Sequence, residues 1–341
     1  MAKLIVAGVT DVLVMDGLPD PVIPHRTGRR RAVVLTQPAA TDRATVIRER
    51  LEQQGLTVEV IGLPDREEAK TLEVAASVYD GLMRFGLSRD DTVIGVGGGS
   101  VTDLAGFVAG TWLRGVEVIH FPTTLLGSVD ASIGGKAGVN LAGKNLVGVI
   151  WHPSRVVVDV ELLESLPTYL KREGMAEIYK SGLVGDPELA MVIASLGLDA
   201  PLDEVVRRAI AVKAHFVSED DREHGVRAFL NFGHTIGHAI EFASPFSHGE
   251  SISLGMVAAS LVSERLFGFA HADTIRSTLA SMNLPITTSG LDATRVRDLL
   301  KMDKKRDAEG LRMVLLKDIS DPHLGHVDQD DLEVGLSSVG L

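Results

Sequence analysis

Residues 92–103 read TVIGVGGGSVTD: an apolar strand over 92–96, a turn at Gly97, Gly98 and Gly99, and a helix continuing through Asp103 to about residue 113. Strand, glycine turn and helix in that order form the repeating unit of an open α/β sheet. The glycines let the backbone approach a pyrophosphate closely, and the helix N-terminus favours negative charge. Because Ser100 occupies the place of a third glycine, the stretch is not the G-x-G-x-x-G fingerprint, and a purely structural tight turn remains open.

The same alternation extends on both sides. AVVLT (32–36) reads as a strand, after which Thr41 and Asp42 can cap a helix running to Gln54 and stopped by Gly55. Residues 58–61 form the next strand. Residues 67–85 then place Ala69, Leu72, Ala75, Val78, Tyr79 and Leu82 on one helical stripe, with Gly86 as its stop. Residues 116–121 and 156–160 read as two more buried strands. After about residue 162 strand signals nearly vanish, and helices are predicted over 173–183, 202–216, 230–242, 252–266 and 272–282. The expected fold is α/β, with a Rossmann-like N-terminal domain over residues 1–161 containing a mostly parallel sheet, and an α-helical C-terminal domain over 162–341. The charge run at residues 29–31 reads as solvated.

A chain of 341 residues is long enough for two domains of ordinary size, and at 45% hydrophobic it can bury a large aliphatic core. Its net charge of −12 argues against nucleic acid or an anionic membrane as partner, so an anionic substrate would need a local basic pocket. The absence of cysteine excludes disulfides, thiolate ligands and cysteine nucleophiles, and fits a reducing compartment. No apolar run approaches membrane-spanning length. The opening MAKLIVAGVTDVLVMDG is interrupted by Asp11 and Asp16 and does not read as a signal peptide, so a soluble, cytoplasmic protein is expected.

A second stretch carries chemistry: RAFLNFGHTIGHAIEFASPFSHGE, residues 227–250. If 230–242 is helical, His234 and His238 stand one turn apart on one face, with His248 expected on the following loop. Three of the chain's 11 histidines so close together, beside Arg227 and Asn231, point to a metal site built against an anion site rather than to capping histidines. Spacing does not choose between His238 and His248 as a ligand. Upstream, EGMAEIYKSG (173–182) offers Glu173, Glu177 and Lys180. Glu177 and Lys180 share a helix face, which suits either a site or a solvated ion pair. SVDASIGGKAGVNLAGKN (128–145) carries Asp130, Lys136, Lys144 and Asn145 among glycines, a pattern for phosphate or carboxylate contact or for a flexible surface loop.

Together these segments resemble the 3-dehydroquinate synthase family of the sugar-phosphate cyclases. The likeness is collinear, from PDREEAK (64–70) through GGGSVTD, TWLRGV, FPTTLL, VDASIGGK, GKN, AEIYKSG, the histidine block and SHGE to DKKRDAEGLRMVLL (303–316). It covers roughly residues 60–318, and the first 55 carry only the general α/β pattern. The resemblance implies a metal, zinc or cobalt, held by Glu177, His234 and His248, with His238 facing the substrate phosphate. It implies NAD bound by Asp65, Glu67, Lys70, Gly97, Gly98, Gly99, Asp103, Thr123, Thr124, Lys136, Lys144 and Ser165. Substrate contacts would come from Asp130, Lys136, Lys180, Lys213, Arg227, Asn231 and one of Lys304 and Lys305. Arg114 would reach the phosphate of a neighbouring subunit, making a homodimer. Arg66 and Ala69 depart from the usual family residues, which touches the adenosine side.

The implied activity turns a phosphorylated sugar acid, 3-deoxy-D-arabino-heptulosonate 7-phosphate, into 3-dehydroquinate and phosphate. The sequence of steps is transient oxidation, phosphate elimination, reduction, ring opening and aldol closure, with NAD not consumed. Cyclases making valiolone-type cyclitols or deoxy-inosose are the near alternative, and a metal-dependent polyol dehydrogenase the more distant one. Arg227 and Lys213, matching the carboxylate side, favour dehydroquinate. A non-catalytic NAD-binding regulator would leave the three histidines unexplained.

Overall fold

The computed structural model describes residues 2–141, 143–302, 306–307 and 310–341, apart from the side chains of 302, 306, 307 and 310. They form two compact units, Met1–Leu166 and Pro167–Leu341. The first unit runs β1 (Ala2–Val6), β2 (Thr10–Met15), β3 (Arg31–Thr36), α1 (Thr41–Gln53), β4 (Thr57–Gly62), α2 (Leu72–Phe85), β5 (Thr92–Gly97), α3 (Gly99–Thr111), β6 (Glu117–Pro122), β7 (Lys136–Val139), β8 (Val147–Ile150), β9 (Arg155–Asp159) and α4 (Val160–Glu164). The boundary expected after residue 161 falls inside α4.

Seven strands form one sheet in the order β1-β2-β9-β6-β5-β3-β4, parallel except for the antiparallel pair β1/β2. β3, β5 and β6 are covered on both faces, which is why AVVLT and TVIGV are unbroken apolar runs rather than alternating ones. Val33, Val93 and Val118 share a cluster with Leu82 of α2 and Leu104 and Val108 of α3. Val34, Ile94 and Ile119 share the other with Ile47 and Leu51 of α1. From β3 the chain moves to β4 on one side and then to β5 and β6 on the other, so the winding reverses between β3 and β5. Gly97 ends β5, and Gly98 and Gly99 lead from its carboxyl end into α3 beside that reversal, the usual ligand position in such sheets.

Three local expectations change. The helix read over 67–85 is divided: Arg66–Ala69 is a 3-10 turn, and α2 starts afresh because the Thr71 side chain accepts the Val74 N–H. Thr41 lies inside α1 rather than capping it, and its hydroxyl bonds the Pro38 carbonyl at 3.0 Å. Arg29 is not solvated but buried, paired with Glu117.

The second unit runs α5 (Thr168–Gly185), α6 (Pro187–Leu196), α7 (Leu202–Glu219), α8 (His234–Ala243), α9 (His248–Phe267), α10 (Ala272–Ser281), α11 (Ala293–Met302), β10 (Arg306–Asp307), β11 (Gly310–Asp318), β12 (Asp321–Val327) and α12 (Gln329–Ser338). It is mainly helical, but β10, β11 and β12 form an antiparallel ladder that the sequence reading did not anticipate. β11 buries Leu311, Met313, Val314, Leu315 and Leu316 and ties to α9 through Leu316 N–H and the Ser263 hydroxyl at 3.0 Å. Its partner DPHLGHV hides its strand character behind Pro322 and Gly325. Among the described residues, no helix is long and apolar enough to cross a membrane.

Candidate active site

In the second unit, three helices bring the metal-type donors together. α5 supplies Glu177 and Lys180, α8 supplies His234, His238 and Glu241, and α9 begins with His248. His248 is therefore a first-turn residue, not a loop residue. Ser247 caps α9 in a capping box with Glu250, so S-H-G-E was the signal available in the sequence. α8 likewise starts at His234, later than expected, after a separate 3-10 segment, Val226–Asn231. α8 and α9 pass in direct backbone contact: a Cβ on Gly255 would lie 1.9 Å from the Gly233 carbonyl oxygen, so no larger residue fits there.

Glu177 Oε1 lies 3.3 Å from His248 Nε2 and 3.6 Å from His234 Nε2. The other ring nitrogens are engaged elsewhere, His234 Nδ1 with the Phe232 carbonyl at 3.2 Å and His248 Nδ1 with Glu241 at 3.3 Å. Such partners fix ring orientation and turn each Nε2 towards Glu177 Oε1. Two nitrogens and one carboxylate oxygen, all within 4.8 Å of one another, fit zinc or cobalt. His238, Glu241 and His248 form a second close group, but His238 is exposed and Glu241 is already bound to His248 Nδ1.

Lys180 pairs with the other oxygen of Glu177, and both side chains are buried, so this is not the solvated ion pair the sequence also allowed. Burial pushes the Glu177 carboxyl up, yet Lys180 and His248 outweigh it and hold the group at about 2. Burial pushes His248 down, but its bonds to Glu177 and Glu241 raise it to about 10. His248 is therefore held protonated between the two carboxylates at neutral pH, and a metal taking its Nε2 would displace that proton.

Two buried cations, Lys213 on α7 and Arg227, stand in the same unit. The sequence reading missed what seats Arg227. Asp220 accepts the backbone N–H groups of His224 at 3.0 Å, Gly225 at 2.7 Å and Arg227 at 3.1 Å, folding the loop after α7 back on itself. The guanidinium donates to the Asp221 carbonyl, and the Asn231 amide donates to Glu223.

In the first unit, α3 begins at Gly99 with Gly98 as an N-cap that makes no side-chain bond, so its first-turn N–H groups are suited to a pyrophosphate. Thr123 N–H donates to the Gly97 carbonyl at 2.9 Å, and Thr124 Oγ1 accepts from Gly127 N–H at 3.0 Å. Asp103 pairs with Lys70 at 2.6 Å; burial raises its pKa more than Lys70 lowers it. Asp65 and Glu67 are exposed, Lys144 is half-buried, Lys136 is exposed at the start of β7, and Asp130 sits in the turn Gly127–Ala131. Gln37, unmarked by any motif, holds residues 64–66 through the Pro64 carbonyl at 2.8 Å and the Arg66 carbonyl at 2.9 Å, and receives the Ser100 hydroxyl at 3.3 Å. Ser165 is exposed at the end of α4, its hydroxyl on the Leu162 carbonyl at 2.7 Å. Arg114 is exposed, and Lys304 and Lys305 lie outside the described residues.

Residues 60–173 match the family model described as 3-dehydroquinate synthase N-terminal, and residues 174–306 the 3-dehydroquinate synthase C-terminal model. A 3-dehydroquinate synthase of Corynebacterium diphtheriae is 44% identical over 305 residues, covering 86% of this chain and 85% of the relative. Among solved structures, a 2-deoxy-scyllo-inosose synthase complexed with carbaglucose-6-phosphate, NAD+ and Co2+ superposes with a TM-score of 0.88 at 25% identity, covering 99% of this chain and 100% of that one. The 2-epi-5-epi-valiolone synthase of Streptomyces hygroscopicus, with NAD+ and Zn2+ bound, gives 0.87 at 26% identity, covering 97% and 96%.

Proposed function

The chain belongs to the 3-dehydroquinate synthase family, and from that premise we propose which of its residues carry the reaction. It is a carbon–oxygen lyase that converts 3-deoxy-D-arabino-heptulosonate 7-phosphate to 3-dehydroquinate and phosphate, with NAD and a divalent metal as cofactors. When bound, NAD supplies a reversible hydride acceptor and the metal a Lewis acid for the oxygen being oxidised.

Glu177, His234 and His248 hold the metal. The observation that carries this reading is the convergence of Glu177 Oε1 with two Nε2 atoms whose rings are fixed through Nδ1. Three protein donors leave a coordination position for substrate. Lys180 keeps Glu177 ionised and turns its second oxygen away from the imidazoles. The glycine turn and the first turn of α3 take the NAD pyrophosphate, with Asp65, Glu67, Lys70, Asp103, Thr123, Thr124, Lys144 and Ser165 as further cofactor contacts. Arg227 and Lys213 bind the substrate carboxylate, with Asn231 beside them, and His238 takes the phosphate side. Asp130, Lys136 and one of Lys304 and Lys305 keep the roles the resemblance implies. A homodimer to which Arg114 contributes in trans, in the cytoplasm, completes the reading.

The test is substrate choice. The heptulosonate should release phosphate with no net build-up of reduced cofactor. Sedoheptulose 7-phosphate, which lacks the carboxylate, forfeits a charged hydrogen bond of about 1.5–3 kcal/mol and should be turned over roughly 10- to 150-fold less efficiently. Equal turnover of the two would refute the roles given to Arg227 and Lys213. Net cofactor reduction without phosphate release would instead mark a polyol dehydrogenase.

A further inference from the structure

Asn140, the residue after β7, has no part in any role assigned so far. Its backbone N–H donates to the Lys70 carbonyl at 2.7 Å, and it bridges Thr71 in parallel fashion. Its amide Nδ2 donates to Glu67 Oε2 at 2.9 Å, while its Oδ1 accepts the Asn145 N–H at 2.9 Å. Asn145, held at φ 55, in turn accepts Lys70 Nζ at 2.6 Å, and the same Nζ reaches Asp103 at 2.6 Å. Asn140, Asn145 and Lys70 thus form a closed ring of hydrogen bonds, with Glu67 attached through the Asn140 amide and Asp103 through Lys70 Nζ, joining the segment after β4, the loop after β7 and the start of α3.

We propose that Asn140 is a positioning residue for NAD: it pins the loop bearing Lys144 and Asn145 onto the segment bearing Glu67 and Lys70, so that these groups meet the cofactor as a fixed set. The inference rests on the reading that Glu67, Lys70, Asp103 and Lys144 line the NAD site. The position needs a group that donates and accepts at once, which a carboxamide does and neither a carboxylate nor a methyl does. Without the clip, the loop after β7 must be ordered when cofactor binds, and that ordering is subtracted from affinity.

The experiment measures the NAD dissociation constant of the full-length, metal-loaded protein by calorimetry. Asn140→Ala should bind NAD about tenfold more weakly, the scale of losing two modest hydrogen bonds, with metal content unchanged. Asn140→Asp should be weaker still, because two carboxylates then face each other. Adding Glu67→Gln to Asn140→Asp restores a donor opposite the new acceptor, so the double variant should lose less NAD affinity than the two single losses added together, a comparison that removes any direct loss from Glu67 as a cofactor contact. A merely structural role would lower thermal midpoints without that rescue. Wild-type affinity in Asn140→Ala, or single-variant losses that simply add in the double variant, overturns the proposal; if the alanine variant does not fold, the charge-swapped pair and its single variants decide. Wild-type affinity in Asp103→Ala would overturn the cofactor site itself, a separate and distinguishable failure.

Discussion

His120 shows how a single residue registers its surroundings. It lies on β6 inside the sheet of the first unit, 3% exposed, with no hydrogen-bond partner for Nδ1 among the described residues. Burial alone pushes its pKa down to about 3. A histidine neutral when folded but free to protonate near 6.5 when unfolded contributes stability that is present above pH 6.5 and lost as pH falls from there towards 3. The slope is up to about 1.4 kcal/mol per pH unit. His120→Leu should flatten that limb, and urea midpoints between pH 7 and 4 measure it. An unchanged acid slope would mean that other groups set it. The contrast with Glu177 and Lys180 is instructive: their spacing is equally legible in the sequence, but only the packing of α5 shows that both are buried and bound to each other.

At the scale of elements, the start of α9 matters most, because it places His248. The capping box between Ser247 and Glu250 satisfies first-turn N–H groups, and replacing such a cap with alanine costs about 1 kcal/mol. Ser247→Ala should therefore lower the thermal midpoint. It should also weaken metal binding severalfold as the first turn frays around His248, the proposed ligand, while Ser247→Asp, itself a good cap, keeps both. Chelator competition and thermal melts together check this, and a lowered midpoint with unchanged metal affinity would mean the cap does not position His248. S-H-G-E carries this cap in the sequence, yet the helix was expected only from residue 252, with His248 on a loop. The strands β11 and β12 were less legible, since one is an apolar run without period and the other carries Pro322 and Gly325.

At the scale of the whole molecule, the turn after α3 bears on assembly. Leu113, Arg114 and Gly115 have φ values of 50, 65 and 120, a left-handed run that costs about 1–3 kcal/mol at each non-glycine position. Tryptophans hold it. Trp112 Nε1 donates to the Leu87 carbonyl at 3.2 Å, and Trp151 Nε1 to the Val116 carbonyl at 2.9 Å. A Cβ on Gly115 would lie 2.3 Å from the Trp151 ring. The strained backbone leaves Arg114 exposed, which supports the role proposed for it in a second copy of the chain. Inactive Arg114→Ala and inactive His248→Ala chains, once mixed and shown by mass to exchange subunits, should regain activity, because a mixed dimer holds one site with its own metal ligands and an intact neighbouring arginine. No recovery after proven exchange would remove Arg114 from a shared site.

By itself the sequence determined what depends on neighbours along the chain: the strand, glycine turn and helix of residues 92–103, the stop of α2 at Gly86, the one-turn spacing of His234 and His238, and the motifs that mark the family. Tertiary structure decided what depends on elements meeting. Helical periodicity treats His234 and His238 alike, and the grouping of Glu177 with His234 and His248 appears only when α5 is packed beside α8 and α9. The burial of Lys180 among the second unit's helices, the pairing of Arg29 with Glu117, and the links of Gln37 to residues 64–66 and of Asn140 to Glu67 have the same origin. Each is a contact between residues far apart in the chain, whose geometry no local periodicity encodes.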